Sequence, residues 1–264
     1  GQGNYIITMN NKEYLIEWSK LEDEQLKLNL DKFPDEVFWV TEIFLLIQKF
    51  ERSLKTPEFG FQTSVGLVHM AVKDIHLAFL SIFRGHFSLA YKNTRSAIEA
   101  TTFINAIKGD KNKAMIWAKK ELLDQNDEEY KKLLQEGRQG DLGKKLKDKF
   151  NFASEQSHAN MIKFLNGRKS ELFLEQKMIK DTYSYFDEND DWFIAHTHQL
   201  IGTIFLILNV FEDVFKDEIE DKEYKQKIQK KFSEYSQYVS KNLDRILISR
   251  KFNISRSANS PKEH

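Results

Sequence analysis

Proline is almost missing from this chain. It stands at positions 34, 57 and 261, and between residues 58 and 260 there is none. So long a stretch without a helix-breaking residue, dense in Leu, Ile, Phe, Lys and Glu, points to helices packed on helices. The glycines supply the punctuation: Gly60, Gly85, Gly109, the cluster Gly137, Gly140 and Gly143, and Gly167 fall between periodic segments. The expected fold is all-α, a single-domain bundle of about seven helices.

Pro34, followed by Asp35 and Glu36, opens the first strong helix, which carries Phe38, Val40, Ile43, Leu46, Ile47 and Phe50 to about Leu54. A second runs from Gln62 to Phe83 with Val65, Val68, Val72, Ile75, Phe79 and Ile82 at steps of three and four. The third spans His86 to Ile107. A fourth starts near Lys111 and continues to about Leu134 with an interruption after Leu123. Residues 137 to 150 read as a charged, Gly-rich connection with room for one helical piece, before a helix from Phe152 to Leu165. Asn189, Asp190 and Asp191 cap a long helix from Trp192 to Phe215, and Lys222 to Ile248 forms the last. The first 18 residues read differently: Tyr5 to Thr8 and Tyr14 to Trp18 flank a polar stretch and suggest a short β-hairpin. The division is therefore an N-terminal extension 1–18, a bundle 19–252 and a polar tail 253–264.

Forty basic residues balance forty acidic ones, so no global field draws the protein to nucleic acid or to an anionic membrane. With no cysteine there is no disulfide, no thiolate nucleophile and no thiolate metal site, which fits a reducing cytoplasmic setting. The apolar run Leu200 to Phe211 is interrupted by Gly202, Thr203 and Asn209 and is shorter than the roughly 20 residues of a membrane span, so no membrane partner is expected. Glycine-rich phosphate loops, the Gly-x-Ser-x-Gly elbow, His-Glu-x-x-His and calcium loops are all missing from the chain. No cofactor is expected.

The third helix carries the clearest candidate site. Between His86 and Ile107 only Lys92, Arg95 and Glu99 bear a full charge, and at about 100° per residue Ser88, Tyr91, Arg95, Glu99 and Thr102 form one polar line. On an otherwise apolar helix such a line must be paired, hydrogen-bonded or turned to a cavity. Arg95 and Glu99, at i and i+4, either form an internal ion pair that sets the packing, or bind an anionic group with Arg95 while Glu99 orients it or acts as a base. Tyr91, Arg95, Glu99, Thr102 and His86, at the head of the helix, are the candidate ligand-binding residues. Glu155 and His158 are spaced as in di-iron bundles, but no second copy of that motif accompanies them, so no metal is expected. His69 and His76 lie two turns apart, too far for one metal, and His196 and His198 point to different sides of their helix.

The stretch Gly85-His86-Phe87-Ser88-Leu89-Ala90-Tyr91, followed by Arg95-Ser96-Ala97-Ile98-Glu99-Ala100, resembles a helix of bacterial HEPN-like domains, in which a Gly, an Ala and an Arg-Ser-x-x-Glu-Ala string recur. Ala153-Ser154-Glu155-Gln156-Ser157-His158 resembles the serine-glutamate-to-histidine segment of the same group. The resemblance implies an all-helical bundle, often a homodimer, tied to phage defence, toxin and antitoxin systems or RNA cleavage. Active members carry an Arg followed four to six residues later by a His. No arginine here precedes a histidine at that spacing; the nearest base upstream of His158 is Lys149. The leading expectation is a non-catalytic HEPN-like protein that binds a small anionic ligand or a partner. The alternatives are a metal-independent ribonuclease rebuilt from Arg95, Glu99 and His158, with RNA as partner, and a protein–protein interaction module.

Overall fold

The computed structural model describes residues 11–55, 61–124, 127–157, 168–173, 178–183, 186–187 and 189–247. They form α1 (Asn11–Lys32), α2 (Pro34–Ser53), α3 (Gln62–Phe83), α4 (Phe87–Ile107), α5 (Lys111–Leu123), α6 (Asp127–Gly137), α7 (Gly140–Ser157), β1 (Arg168–Phe173), β2 (Met178–Tyr183), α8 (Asp190–Phe215), α9 (Tyr224–Lys241) and α10 (Leu243–Ile246). The architecture is helical. Ten helices occur among the described residues rather than about seven. One, α1, replaces the expected N-terminal strand; Asp124, in the left-handed conformation, ends α5 before α6; and Asn242 separates α10 from α9.

The expected hairpin at the N-terminus is overturned over its second arm, because Tyr14 to Trp18 lie inside α1; its first arm, Tyr5 to Thr8, is outside the described residues. The alternation of Tyr14, Ile16 and Trp18 imitates a strand, but Glu22, Leu26 and Asn29 continue at helical spacing and turn one face toward the body. Asn29 Nδ2 donates to the Phe83 carbonyl at 2.7 Å, and Glu13 in the first turn and Lys32 in the last suit the helix dipole. The only strands among the described residues are β1 and β2, an antiparallel pair with Arg168 opposite Tyr183 and Phe173 opposite Met178. No signal in the sequence marked them.

Two helices form the centre. α4 packs against α3, α6, α7 and α8, and α8 packs against α2, α3, α4, α7, α9 and α10. Phe103, Ile104 and Ile107 of α4, and Ile201, Phe205, Ile207, Leu208 and Phe211 of α8, are buried, each contributing on the order of 1.5–3 kcal/mol. Both helices contain threonines whose hydroxyls return to their own helix: Thr94 to the Ala90 carbonyl, Thr101 to Ala97, and Thr197 to Phe193, at 2.7–2.8 Å. Polar residues can thus sit in the core with no partner outside their helix. The α8 start follows from its cap, the Asn189 side chain accepting from the Trp192 amide at 3.0 Å.

Candidate functional site

α7 lies antiparallel on α4, so successive turns of the two helices meet in reverse order. The Ser88 hydroxyl donates to the Ser157 carbonyl at 3.3 Å, Tyr91 meets Phe152 edge-on at 5.7 Å between ring centroids, and Arg95 sits over the ring of Phe150 at 5.6 Å. The two segments that carry the family resemblance therefore pack on each other. His158 itself lies outside the described residues.

Arg95 and Glu99 are both half-buried, and they do not pair: no ion pair within 4.0 Å joins them among the described residues. Arg95 instead turns to Phe150, and a second guanidinium, that of Arg138, lies over the same ring at 5.2 Å. Arg138 is held in the α6–α7 connection, its amide donating to the Gln135 carbonyl at 3.2 Å, while Asn105 Nδ2 of α4 donates to the neighbouring Gly137 carbonyl at 2.9 Å. Neither arginine meets a carboxylate within 4.0 Å among the described residues. Lys149, next to Phe150 in α7, also has no acidic partner there, and burial holds its pKa below the ordinary lysine value. Cation–π contact yields only about 0.5–1 kcal/mol at exposed sites, well short of neutralising two guanidiniums. The cluster is an uncompensated positive site beside an aromatic ring, which suits an anion.

The other candidate residues of the α4 line part company. Tyr91 is 1% exposed and contacts His196 Nδ1 at 2.6 Å. Burial pushes the phenol's pKa far up and pushes the imidazole down to about 4, so both are neutral near pH 7. The phenol then donates to Nδ1 and the ring proton resides on Nε2, among the rings of Phe87 and Trp192. The Thr102 hydroxyl is buried and donates to the Ile98 carbonyl. His86 Nε2 contacts Glu22 Oε1 of α1 at 2.8 Å, and the start of α4 is capped by Asp187, which accepts from the Phe87 amide at 2.9 Å. Glu99 faces Tyr130, whose pKa is raised first by burial and then by the carboxylates of Glu121 and Glu99.

A second polar cluster is assembled from distant parts of the chain. Glu36 of α2 has no exposed surface, accepts from His198 Nε2 and from Arg245 Nη2, each at 2.9 Å, and is ion-paired with Arg245 Nη1 at 2.9 Å. His198 Nδ1 lies 3.0 Å from the Tyr235 hydroxyl, which is also 3.1 Å from the His198 carbonyl. One phenolic proton can serve only one of these acceptors, whereas the Glu36 carboxylate calls for a proton on Nε2 in either case. Arg245 also donates to Tyr238, whose hydroxyl donates to Asp35. His196 and His198 thus serve opposite sides of α8, as their spacing requires. Among the described residues no buried side-chain polar atom of this cluster lacks a hydrogen-bond partner, so it reads as a structural clasp holding α10 to α2.

A cleft of about 580 Å³ at the far end of α4 is lined by Asn105, Lys108, Asp110, Lys113, Glu136 and Asp213. Its lysines are already neutralised, Lys108 by Asp213 at 3.9 Å and Lys113 by Glu136. Volume alone would favour it; uncompensated charge favours Arg95 and Arg138. Among the described residues no group of three or more acidic or histidine side chains is placed to hold a metal ion. Spacing along α4 could not reveal Arg138 or Phe150, because their approach depends on how α7 folds back. The only available signal was the basic content of residues 138–149. Comparison with protein-family models, with curated proteins and with solved structures finds no match.

Proposed function

We propose that this chain is a cytoplasmic helical protein of HEPN-like type, without catalysis of its own, that binds a small anionic ligand in a phage-defence or toxin–antitoxin setting. The carrying observation is that Arg95 and Arg138 share the ring of Phe150 while neither meets a carboxylate within 4.0 Å among the described residues. A phosphate group between two guanidiniums would receive several charge-assisted hydrogen bonds. Titration calorimetry with inorganic pyrophosphate tests this: Arg95→Gln and Arg138→Gln should each weaken binding by at least about tenfold, the loss of one such contact. Wild-type protein that gives no binding heat with millimolar pyrophosphate sinks the reading. Because Arg95 is not paired with Glu99, the Arg95 variant should keep its circular dichroism spectrum and melt close to wild type.

The ribonuclease alternative draws support from the Ser88 to Ser157 contact, which brings the chain neighbour of His158 to α4, two turns from Arg95. Seven residues of helix span roughly 10 Å, so Arg95, Glu99 and His158 would have to reach toward each other along the groove. In this reading wild-type protein shortens total RNA and His158→Ala does not. Intact RNA in both reactions eliminates it.

A further inference from the structure

The cleft at the far end of α4 holds more acceptors than the chain supplies donors. α4 gives way at Lys108 to a left-handed turn, φ +44°, and the chain leaves before the last carbonyls of the helix are all satisfied. The Ile104 carbonyl accepts from the Lys108 amide at 3.1 Å, and that of Ile107 from the Asp110 amide at 2.8 Å. Among the described residues no hydrogen bond reaches the carbonyls of Asn105 and Ala106, which line the cleft. Asn105 is only 8% exposed, and its side chain spends Nδ2 on the Gly137 carbonyl at 2.9 Å. Its Oδ1 accepts from nothing among the described residues. The fully covered orphans there are Ser64 Oγ and Arg84 Nε, so Asn105 Oδ1 keeps some open surface, on the side where Asn105 lines the cleft. A bare amide oxygen in so buried a residue calls for a donor from that space.

The charge of the cleft asks for the same thing. Asp110, Glu136, Asp141 and Asp213 line it against two lysines, an excess of two negative charges, and the C-terminus of α4 adds its partial negative charge. Lys113 pairs with Glu136, Lys108 reaches Asp213 only at 3.9 Å, and Asp141 turns to Lys145 at 3.0 Å on the surface. Asp110 meets no basic side chain within 4.0 Å among the described residues. Its Oδ1 accepts from the amides of Asn112 and Lys113, capping α5, and Oδ2 is left over. No group of three acidic or histidine side chains is placed to hold a metal ion among the described residues. Carbonyl, amide and carboxylate oxygens spread along a space of about 580 Å³ suit instead an organic cation with several N–H donors.

We propose that this cleft binds a linear aliphatic diamine. One ammonium group donates to Asn105 Oδ1, to the free carbonyls of α4 and to Asp110; the other lies toward Asp213. An ammonium has three donors and no acceptor, the inverse of this lining, and two of them match its excess charge. The Lys108 to Asp213 pair is long and half-exposed, so a second ammonium displaces it at little cost.

Titration calorimetry of the full chain with putrescine, 1,4-diaminobutane, at low ionic strength should show saturable binding. Asp110→Asn removes the charge but keeps the α5 cap, since asparagine caps as well as aspartate, and should weaken binding at least about tenfold with unchanged circular dichroism. Asp213→Asn, at an exposed position, should weaken it too, whereas Lys108→Gln removes the competing cation and should strengthen it. Glu24→Gln makes the same change of net charge as Asp110→Asn, but on α1, which is tied to the opposite end of α4 through Glu22 and Asn29, and should leave the affinity unchanged. Butylamine, with one ammonium group, should bind at least about tenfold more weakly than putrescine. Wild-type protein that gives no heat with millimolar putrescine overturns the proposal. So does magnesium that displaces putrescine at equal concentration, or a loss of affinity as large in Glu24→Gln as in Asp110→Asn.

Discussion

Arg245→Ala is expected to lower the melting temperature at pH 7 by on the order of 10 °C, the equivalent of about 3 kcal/mol in a chain of this size. Glu36, to which Arg245 Nη2 donates and with which Nη1 is ion-paired, has no exposed surface. Burial pushes the Glu36 pKa up; the hydrogen bonds from His198 and Arg245, with the guanidinium's charge, outweigh it and hold the carboxyl below its ordinary 4.5. Removing the guanidinium leaves a buried carboxylate with the imidazole alone. The figure stays at the lower end for a broken buried pair because Arg245 is itself 35% exposed and solvent screens part of its charge.

The pH dependence separates this cause from simple loss of packing. In the wild type a depressed carboxyl pKa contributes stability that is present above the unfolded value and is lost as pH falls through the lower folded value. In the variant the burial effect is no longer outweighed, so the folded pKa rises and protonation relieves the penalty. The gap in melting temperature between the two proteins should therefore be widest at pH 7 and narrow toward pH 4.5. A gap that stays constant across that range, or a variant as stable as wild type, rejects the clasp. Tyr238→Phe, which removes one hydroxyl bonded to Arg245 and Asp35, should cost about 1 kcal/mol by the same measurement.

That clasp was not legible in the sequence, and the reason is separation: Glu36 meets His198 across 162 residues and Arg245 across 209. What could be read was local. Pro34 with two acids set the start of α2, Asn189 set the start of α8, and the near-absence of charge between His86 and Ile107 marked α4 as a central helix. The polar line on α4 was visible, but its pairing was not. Spacing of i and i+4 pointed Arg95 at Glu99, while a ring presented from α7 drew it away. Glycine misled in the region 137–150, where it read as a connection with at most one helical piece, separate from the helix expected at Phe152, whereas one helix runs through both. α7 begins at Gly140, and Gly143 lies so close to the Gly137 and Arg138 backbone that a Cβ would stand 2.6 Å from the Arg138 carbonyl carbon. In this region glycine serves close packing more than flexibility.

Gly137→Ala should therefore do two things at once. At Gly137 a Cβ would stand 2.8 Å from Thr102 Cγ2 and overlap the Thr102 carbonyl oxygen, a backbone atom of the central helix that cannot yield as a flexible side chain does. α6 must then retreat from α4, breaking the 2.9 Å bond from Asn105 to the Gly137 carbonyl, at a cost on the order of 3 kcal/mol. Arg138 follows Gly137 directly, so the same retreat carries its guanidinium off Phe150 and away from Arg95. Loss of pyrophosphate binding should accompany the fall in melting temperature. Gly140→Ala provides the contrast. That residue has a φ of +70° and nothing within 4 Å of the added methyl, so only backbone strain of about 1 kcal/mol is expected and binding should persist. If Gly137→Ala melts like wild type, the close approach of α6 to α4 is wrong. If it is destabilised yet binds pyrophosphate with unchanged affinity, Arg138 is not part of the anion site.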